Sequence, residues 1–309
     1  MNPLMSAFAL LSGLLVGMSG AGGGSIVTPV LILVFGLNPV AAVSSDLAAS
    51  LVINPFGAML HTARRRVDRP LLRWLWLGSI PAAFLGALLL SFIPGQDLVN
   101  HIIRFLVGTA LGLTAFTLLA RITTKTSRPP ADPTDEPARG SVLDTASAVR
   151  PLAVAALGAF AGILVGLTSI GAGSIIAAGL LILFPRIPIT RLVGTDVVHT
   201  IPMVASATLG HLLFGQVHFA VAFSLIAGGV PGVLLGAYLA GRVPATALRS
   251  VLGVLLTGIS LSLLRAPVPV VLGGIAITAA TLAAVMTARR RRVPASSAQI
   301  VAPVRKRVP

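Results

Sequence analysis

The chain has 309 residues, of which 55% are hydrophobic and 10% are charged, with a formal net charge of +15. Its mean hydropathy is +0.97. A soluble domain carries about a quarter charged residues, so this composition excludes a water-soluble globular protein. The apolar runs are close to the roughly 20 residues that a helix needs to cross a bilayer. They also lack the polar–apolar alternation of barrel strands, so we predict an all-α polytopic membrane protein.

The positive charge does not indicate a nucleic-acid partner. Lys and Arg stand in the loops and the C-terminal tail instead of forming a binding stripe, and this placement is the topology signal of a membrane protein. The expected partner is the lipid bilayer. The sequence has no Cys, which excludes thiolate metal sites, and we predict no metal or cofactor. The first residues lack the basic segment of a secretory signal and are predicted to belong to the mature protein.

The predicted elements begin with an apolar segment at 3–35 that a glycine-rich stretch interrupts, followed by helices at about 40–61, 71–92 and 101–120. The order then recurs, with a broken segment at 151–184, helices at about 190–213, 220–240 and 247–264, and an unmatched helix at 268–287. The predicted organisation is a first transmembrane repeat at 1–120, a cytoplasmic linker at 121–150, a second repeat at 151–265, an extra transmembrane helix at 266–288 and a basic cytoplasmic tail at 289–309.

An internal repeat relates the two halves. Residues 13–26 match residues 162–175 at an offset of 149, and after one inserted residue the offset becomes 150. This many matches at one register indicate a duplicated unit. At the second offset the matched pairs are Asp46 with Asp196, His61 with His211, Gly78 with Gly228, Pro81 with Pro231, and Gly86 with Gly236.

Each broken segment either crosses the membrane once or doubles back as a re-entrant hairpin of two short helices. If both segments double back, every Lys and Arg except Arg104 and Arg265 falls on one face of the membrane. If each crosses once, the basic loops of the second half and the tail lie opposite those of the first half. The positive-inside rule therefore favours two hairpins.

With hairpins, matched loops lie on opposite faces of the membrane. Loop 62–70 is basic, whereas its partner 212–219 carries no Lys or Arg. The sequence thus predicts two inverted repeats, each a glycine-broken re-entrant hairpin plus three transmembrane helices, as in many secondary transporters. The N-terminus is predicted to lie outside and the C-terminus in the cytoplasm, in an inner (plasma) membrane.

The two glycine breaks are the candidate substrate site. Each is followed by a serine that resembles a helix N-cap, and a helix N-terminus in a membrane cavity binds an anion without a basic side chain. The alternative is that the glycines serve only close helix packing. No Gly-Lys-Ser/Thr follows either break, so a phosphate-binding P-loop is excluded. The candidate substrate-binding residues are Gly22, Gly23, Gly24, Ser25, Gly171, Gly173 and Ser174.

Five ionisable residues in the apolar helices are candidates for proton coupling or gating. Carboxylates inside membranes are costly and usually functional, but Asp46 and Asp196 also resemble helix-capping residues. His199 lies three residues after Asp196, so the two side chains share a helix face and would form a proton relay. His61 and His211 close the same two helices, where an interfacial histidine is common.

Residues 5–265 resemble the TauE/SafE family of sulfite exporters, also called the 4-toluene sulfonate uptake permease family. The resemblance rests on the duplicated glycine motif, on Pro39 to Ser45, on Val67-Asp68 and on Gly194 to Asp196. It implies a membrane transporter for sulfite, organosulfonates or related organic anions. Asp46 departs from the first-half pattern of the family.

Three other functions stay open from the sequence. A passive anion channel would use the same site. An intramembrane serine protease is suggested by Gly17 to Gly20, with Ser19 as nucleophile, although two inverted halves do not suit that fold and the sequence has no His-Glu-x-x-His zinc motif. An assembly or receptor subunit would need a larger soluble part. We therefore predict a non-enzymatic transporter for a small anion, and a homo-oligomer is left open.

Overall fold

The computed structural model describes residues 2–19, 24–62, 67–123, 149–170, 172–184, 189–240, 242 and 245–291. Within these ranges the chain folds into helices and short connections, without strands. The helices are α1 Pro3–Ser19, α2 Gly24–Leu33, α3 Pro39–Thr62, α4 Arg69–Ser91, α5 Gln96–Thr123, α6 Val149–Thr168, α7 Ala172–Leu183, α8 Ile189–Phe214, α9 Phe219–Leu239, α10 Ala245–Leu263 and α11 Val268–Arg291.

The all-α membrane fold predicted from the sequence is confirmed. Within the described ranges, α3, α4, α5, α6, α8 and α9 are long and apolar enough to cross a bilayer, and α1, α10 and α11 carry shorter apolar stretches. Each glycine break separates two helices, α1 from α2 and α6 from α7. The linker 124–148 and the tail 292–309 lie outside the described residues.

Helix α5 begins five residues earlier than the sequence prediction. Gly95 has a φ of +87° and ends the loop, and the helix then begins at Gln96 with Asp97 in its first turn. A carboxylate in that position is stabilised by the positive end of the helix dipole. The prediction treated these polar residues as loop because they interrupt the apolar run.

The halves exchange equivalent helix contacts at glycines. A Cβ placed on Gly13 of α1 would lie 2.7 Å from the carbonyl oxygen of Gly229 in α9. In the repeated position, Gly162 of α6 meets the backbone of Ser79 in α4. Gly162 is the repeat partner of Gly13, and Ser79 is the partner of Gly229. The first helix of each half therefore packs on the fourth helix of the other half, and the α1–α9 pair is equivalent to the α6–α4 pair.

The contacts also give the relative directions of the repeated helices. Helices α3 and α8 cross antiparallel, because Ser44 contacts His211 whereas Leu47, further along α3, accepts a hydrogen bond from Thr208, earlier in α8. These two helices are repeat partners, and an antiparallel pair of partners is what an inverted repeat requires. The assignment of each loop to a face of the membrane stays a prediction.

Many large apolar side chains remain on the outer surface, as lipid contact requires. Ile182 is 78% exposed, and Phe92, Tyr238 and Met59 are similarly exposed. The interior is built differently, from small and branched residues on α1, α2, α3, α5 and α10. Helices α4, α6 and α7 form a second, smaller cluster around Leu75 and Ile176. The larger cluster also takes in the α3–α8 crossing, with Val43 and Leu47 of α3 packed together with Met203 and Ala207 of α8.

The cysteine-free sequence allows a direct test of the predicted membrane orientation. Single cysteines at Gln96 and Arg242, both exposed, are expected to lie outside and inside the cell respectively. We expect a membrane-impermeant maleimide to label Gln96→Cys in intact cells and Arg242→Cys only after permeabilisation. Labelling of both sites in intact cells would contradict the orientation.

The glycine contacts predict a specific stability loss. Gly13→Ala places a methyl group against the backbone of α9, so the two helices must separate, at a cost of about 1–3 kcal/mol. The control is Gly273→Ala in α11, where a Cβ meets nothing within 4 Å. We expect a lower melting temperature in detergent for Gly13→Ala only. Equal melting temperatures for the two variants would show that the contact does not stabilise the fold.

Candidate functional site

The glycine breaks lead into the first turns of α2 and α7. Helix α2 begins at Gly24 and α7 begins at Ala172. The N-cap prediction for Ser25 and Ser174 is therefore wrong, because both are already inside the first helical turn. The first four backbone N–H groups of each helix still lack an intrahelical acceptor. Gly173 belongs to the same turn of α7, whereas Gly22, Gly23 and Gly171, and the side chains of Ser25 and Ser174, lie outside the described part of the structure.

The second break is shaped by the hydrogen bonds that end α6. The backbone N–H of Ser169 donates to the carbonyl of Val165 at 2.8 Å, and its φ is +60°. Thr168 accepts from the backbone N–H of Ile170 through its hydroxyl, 3.2 Å away. A non-glycine residue in this left-handed conformation is uncommon and marks a constrained turn. The turn directs the Ser169 side chain towards the first half of the molecule.

Asp46 receives hydroxyl groups from both halves. Thr28 of α2 and Ser169 of the second break donate to its Oδ2 atom at 2.6 and 2.9 Å. Ser50, one turn further along α3, also hydrogen-bonds the carboxylate. All four residues are buried. A buried carboxylate needs such partners, because removal from water costs several kcal/mol per ion.

The capping interpretation of the two aspartates is wrong. The side chain of Asn38 accepts a hydrogen bond from the Val40 backbone N–H, and Pro39 is the first helical residue of α3. Asp46 is therefore about two turns inside its helix. Asp196 lies at the same position of α8, which begins at Ile189. The sequence prediction placed the helix starts correctly but did not count how far inside them the aspartates fall.

His211 joins three helices in the interior. Its Nε2 atom lies 2.7 Å from the carbonyl oxygen of Gly166, so this nitrogen carries the donated proton. Its Nδ1 atom lies 2.7 Å from the Ser44 hydroxyl, which donates to it in the neutral ring. The side chain is 1% exposed. The interfacial interpretation of His211 is therefore wrong, because Gly166 and Ser44 supply a buried polar site at the end of α8.

His199 makes its hydrogen bond to the other repeat rather than to Asp196. Its Nε2 atom lies 2.8 Å from the hydroxyl of Ser79 in α4, and its Nδ1 atom has no partner among the described residues. The predicted Asp196–His199 hydrogen bond is therefore absent from this structure, since α8 turns the imidazole towards α4. His61, at the end of α3, has a side chain outside the described part of the chain.

A small cavity adjoins Asp46 between α1, α2, α3 and α9. Its volume is about 20 Å³, which is enough for about one water molecule. Its polar lining comes from Ser12, Asp46, Ser50 and Asn54, and the remaining lining is apolar or glycine. The described residues contain no cluster of three or more His, Cys, Asp or Glu side chains suited to a metal ion.

Sequence reasoning missed the hydroxyl residues of this region. Thr28, Ser44, Ser50, Ser79 and Ser169 each bind one of the predicted ionisable residues. Hydroxyls are common in apolar helices, where they also bond the carbonyl one turn back, so they carry little signal on their own. The useful signal was the spacing of Asp46, Ser50 and Asn54, which places three polar side chains on one face of α3.

Comparison with known proteins agrees with the described fold. Residues 5–263 match the family described as sulfite exporter TauE/SafE. The chain is 32% identical over 255 residues to the probable membrane transporter protein YjnA of Bacillus subtilis, covering 82% of this chain and 96% of that protein. It is 27% identical over 242 residues to the probable membrane transporter protein YdhB of the same organism, covering 78% and 91%. No solved structure matches the chain.

The hydrogen bonds of His211 predict a structural role. We expect His211→Ala to lower the free energy of unfolding by about 2–5 kcal/mol, because it creates a cavity and leaves the Gly166 carbonyl unpaired. Ser44→Ala should cost less, about 1–3 kcal/mol, since only Nδ1 loses its partner. Thermal unfolding in detergent would measure both. A His211→Ala variant as stable as the parent would contradict this role.

Proposed function

Since the chain belongs to the sulfite exporter TauE/SafE family and is a multi-pass membrane transporter, we propose that it is a secondary transporter for a small sulfur-containing or organic anion. Sulfite and organosulfonates are the proposed substrates, carried across the plasma membrane. The observation that carries the proposal is the pair of glycine breaks, each of which separates two helices, with α2 and α7 beginning inside the apolar part of the chain. The serine protease alternative has no support from the relatives.

The proposed anion site consists of the backbone N–H groups in the first turns of α2 and α7. The positive end of each helix dipole, equivalent to about half an elementary charge, adds to these donors. Three oxygen atoms of a sulfite or sulfonate group can accept several N–H donors at once, as anions do at other helix N-termini. Ser169, the first residue of the second break, ties this region to Asp46 through its hydroxyl.

Asp46 gives a coupling ion a role in this proposal. Two negative charges inside the protein repel each other more strongly than they do in water, because the effective dielectric constant there is lower. A cation that accompanies the anion removes this repulsion. The intramembrane aspartates and histidines suggest a proton from the sequence alone, and a transport assay with an imposed pH gradient examines that proposal. A passive channel would show no coupling to any ion gradient.

The proposal is tested by uptake in proteoliposomes. We expect labelled sulfite, 4-toluenesulfonate or sulfoacetate to accumulate above its equilibrium level when a cation gradient is imposed, with sulfate and thiosulfate as comparison anions. Uptake that only equilibrates would indicate a channel. If none of the five anions enters, the proposed substrate class is wrong.

A proline substitution at the first residue of α7 tests the anion site itself. Proline is tolerated at the first helical position but removes the backbone N–H. Ala172→Pro should raise the KM for the anion about tenfold or more, since a hydrogen bond to a charged group contributes about 1.5–3 kcal/mol. Ala245→Pro, at the first position of α10, is the matched control. Equal KM values for the two variants would place the anion elsewhere.

A further inference from the structure

The cavity beside Asp46 has an unusual polar lining for a membrane-embedded space. Asp46, Ser50 and Asn54 follow one another at four-residue intervals along α3 and face it together. Ser12 of α1 lines it from another helix. We call these four side chains, three from α3 and one from α1, the α3 cavity set. The other lining residues are apolar or glycine, so the polar groups are concentrated in one small space.

The hydrogen bonds of the α3 cavity set show which charge it accepts. The Ser12 hydroxyl donates its proton to the carbonyl of Ala9 at 3.1 Å. The Ser50 hydroxyl bonds the Asp46 carboxylate, which has no proton to give when ionised. With their protons engaged, both hydroxyls offer only lone pairs to the cavity. Asp46, Ser50 and Ser12 therefore present acceptors to the space, and the Asn54 amide adds one acceptor oxygen beside its N–H donors. The single carboxylate makes the site suited to a cation.

The charge and size of the cavity narrow the choice of cation. The lining contains one carboxylate and no Lys, Arg or His, so one positive charge balances it. Calcium takes six to eight oxygen ligands, often from several carboxylates, and magnesium retains waters in an octahedral shell. The lining has one carboxylate, which is few for calcium, and a volume of about 20 Å³ has no room for the waters that magnesium retains. A proton would need a single acceptor and would leave the oxygens of Ser12 and Asn54 without a role.

The repeat provides an internal comparison. At the matched positions of the second half, Asp196 and Thr200 follow the pattern, but Val204 stands for Asn54 and Ala161 stands for Ser12. The fold has thus duplicated the helices without duplicating the α3 cavity set. Helix packing alone does not require the polar groups, since the second half packs in the equivalent way without two of them.

We propose that the α3 cavity set binds one Na⁺ ion, held by oxygen atoms of Asp46, Ser50, Asn54 and Ser12. Its role as the coupling ion rests on the proposed anion transport, whereas the binding site does not. Thr28 and Ser169 hold the second carboxylate oxygen and fix its orientation. Because Ser169 also forms the second glycine break, ion binding at Asp46 and the proposed anion site are mechanically linked.

Binding of ²²Na⁺ to the purified full-length protein tests the site directly. We expect saturable binding of one ion in a choline background, lost in Asp46→Asn. Ser12→Ala, a small change that preserves the helix, should raise the Kd about tenfold. The matched control is Thr200→Val, the second-half counterpart of Ser50, which should bind as the parent does. Absence of saturable binding, or binding unchanged in both Asp46→Asn and Ser12→Ala, would overturn the proposal.

Uptake measurements separate this inference from the proposed function. We expect anion accumulation to follow an inward Na⁺ gradient and to fall to the equilibrium level when choline replaces Na⁺. Anion accumulation that ignores Na⁺ and follows a pH gradient would overturn the coupling role while leaving the transporter proposal intact. Saturable Na⁺ binding without movement of any of the five anions would support the site and reject the proposed substrate class.

Discussion

The architecture depends on helix backbones that approach each other at glycine. In lipid, apolar side chains gain little by leaving their surroundings, so close van der Waals packing becomes the main source of helix association. Gly13 and Gly17 bring α1 against α9, and Gly162 and Gly166 bring α6 against α4. Each half thereby packs its first helix on the other half. Helix α3 packs on α9 and helix α8 packs on α4, so the α3–α8 crossing, with its buried polar residues, connects the two exchanged pairs.

Two hydrogen bonds that join the halves stand at equivalent positions of the repeat. The backbone N–H of His218 donates to the Ser45 hydroxyl, and the backbone N–H of Asp68 donates to Thr195. These two bonds are repeat equivalents, so they belong to the shared scaffold. The halves differ in residue chemistry at Ser12 and Asn54, whose repeat partners are Ala161 and Val204. Function in this molecule is therefore sought where the two halves differ chemically.

Much of the fold could be predicted from the sequence, because hydropathy and the repeat act over whole helices. Helix bounds, the two breaks and the unmatched last helix all follow from such long patterns. The site could be predicted only in part. A spacing of three residues places His199 beside Asp196 on α8, but the rotation of α8 against α4 decides that His199 meets Ser79 instead. Partners such as Ser44 and His211, 167 residues apart, depend on packing that no local pattern records.

In the proposed coupling, the single carboxylate at Asp46 determines how the cell's electrical potential acts on transport. An anion that crosses alone moves one negative charge, and an inside-negative potential drives it outward with about 2.3 kcal/mol per 100 mV. Paired with one monovalent cation at Asp46, a monovalent anion crosses without net charge. The membrane voltage then has no influence on the step in which the anion and the cation cross together. The concentration gradients of the two ions set the direction of transport. A side chain that never contacts the substrate would in this way decide between uptake and efflux.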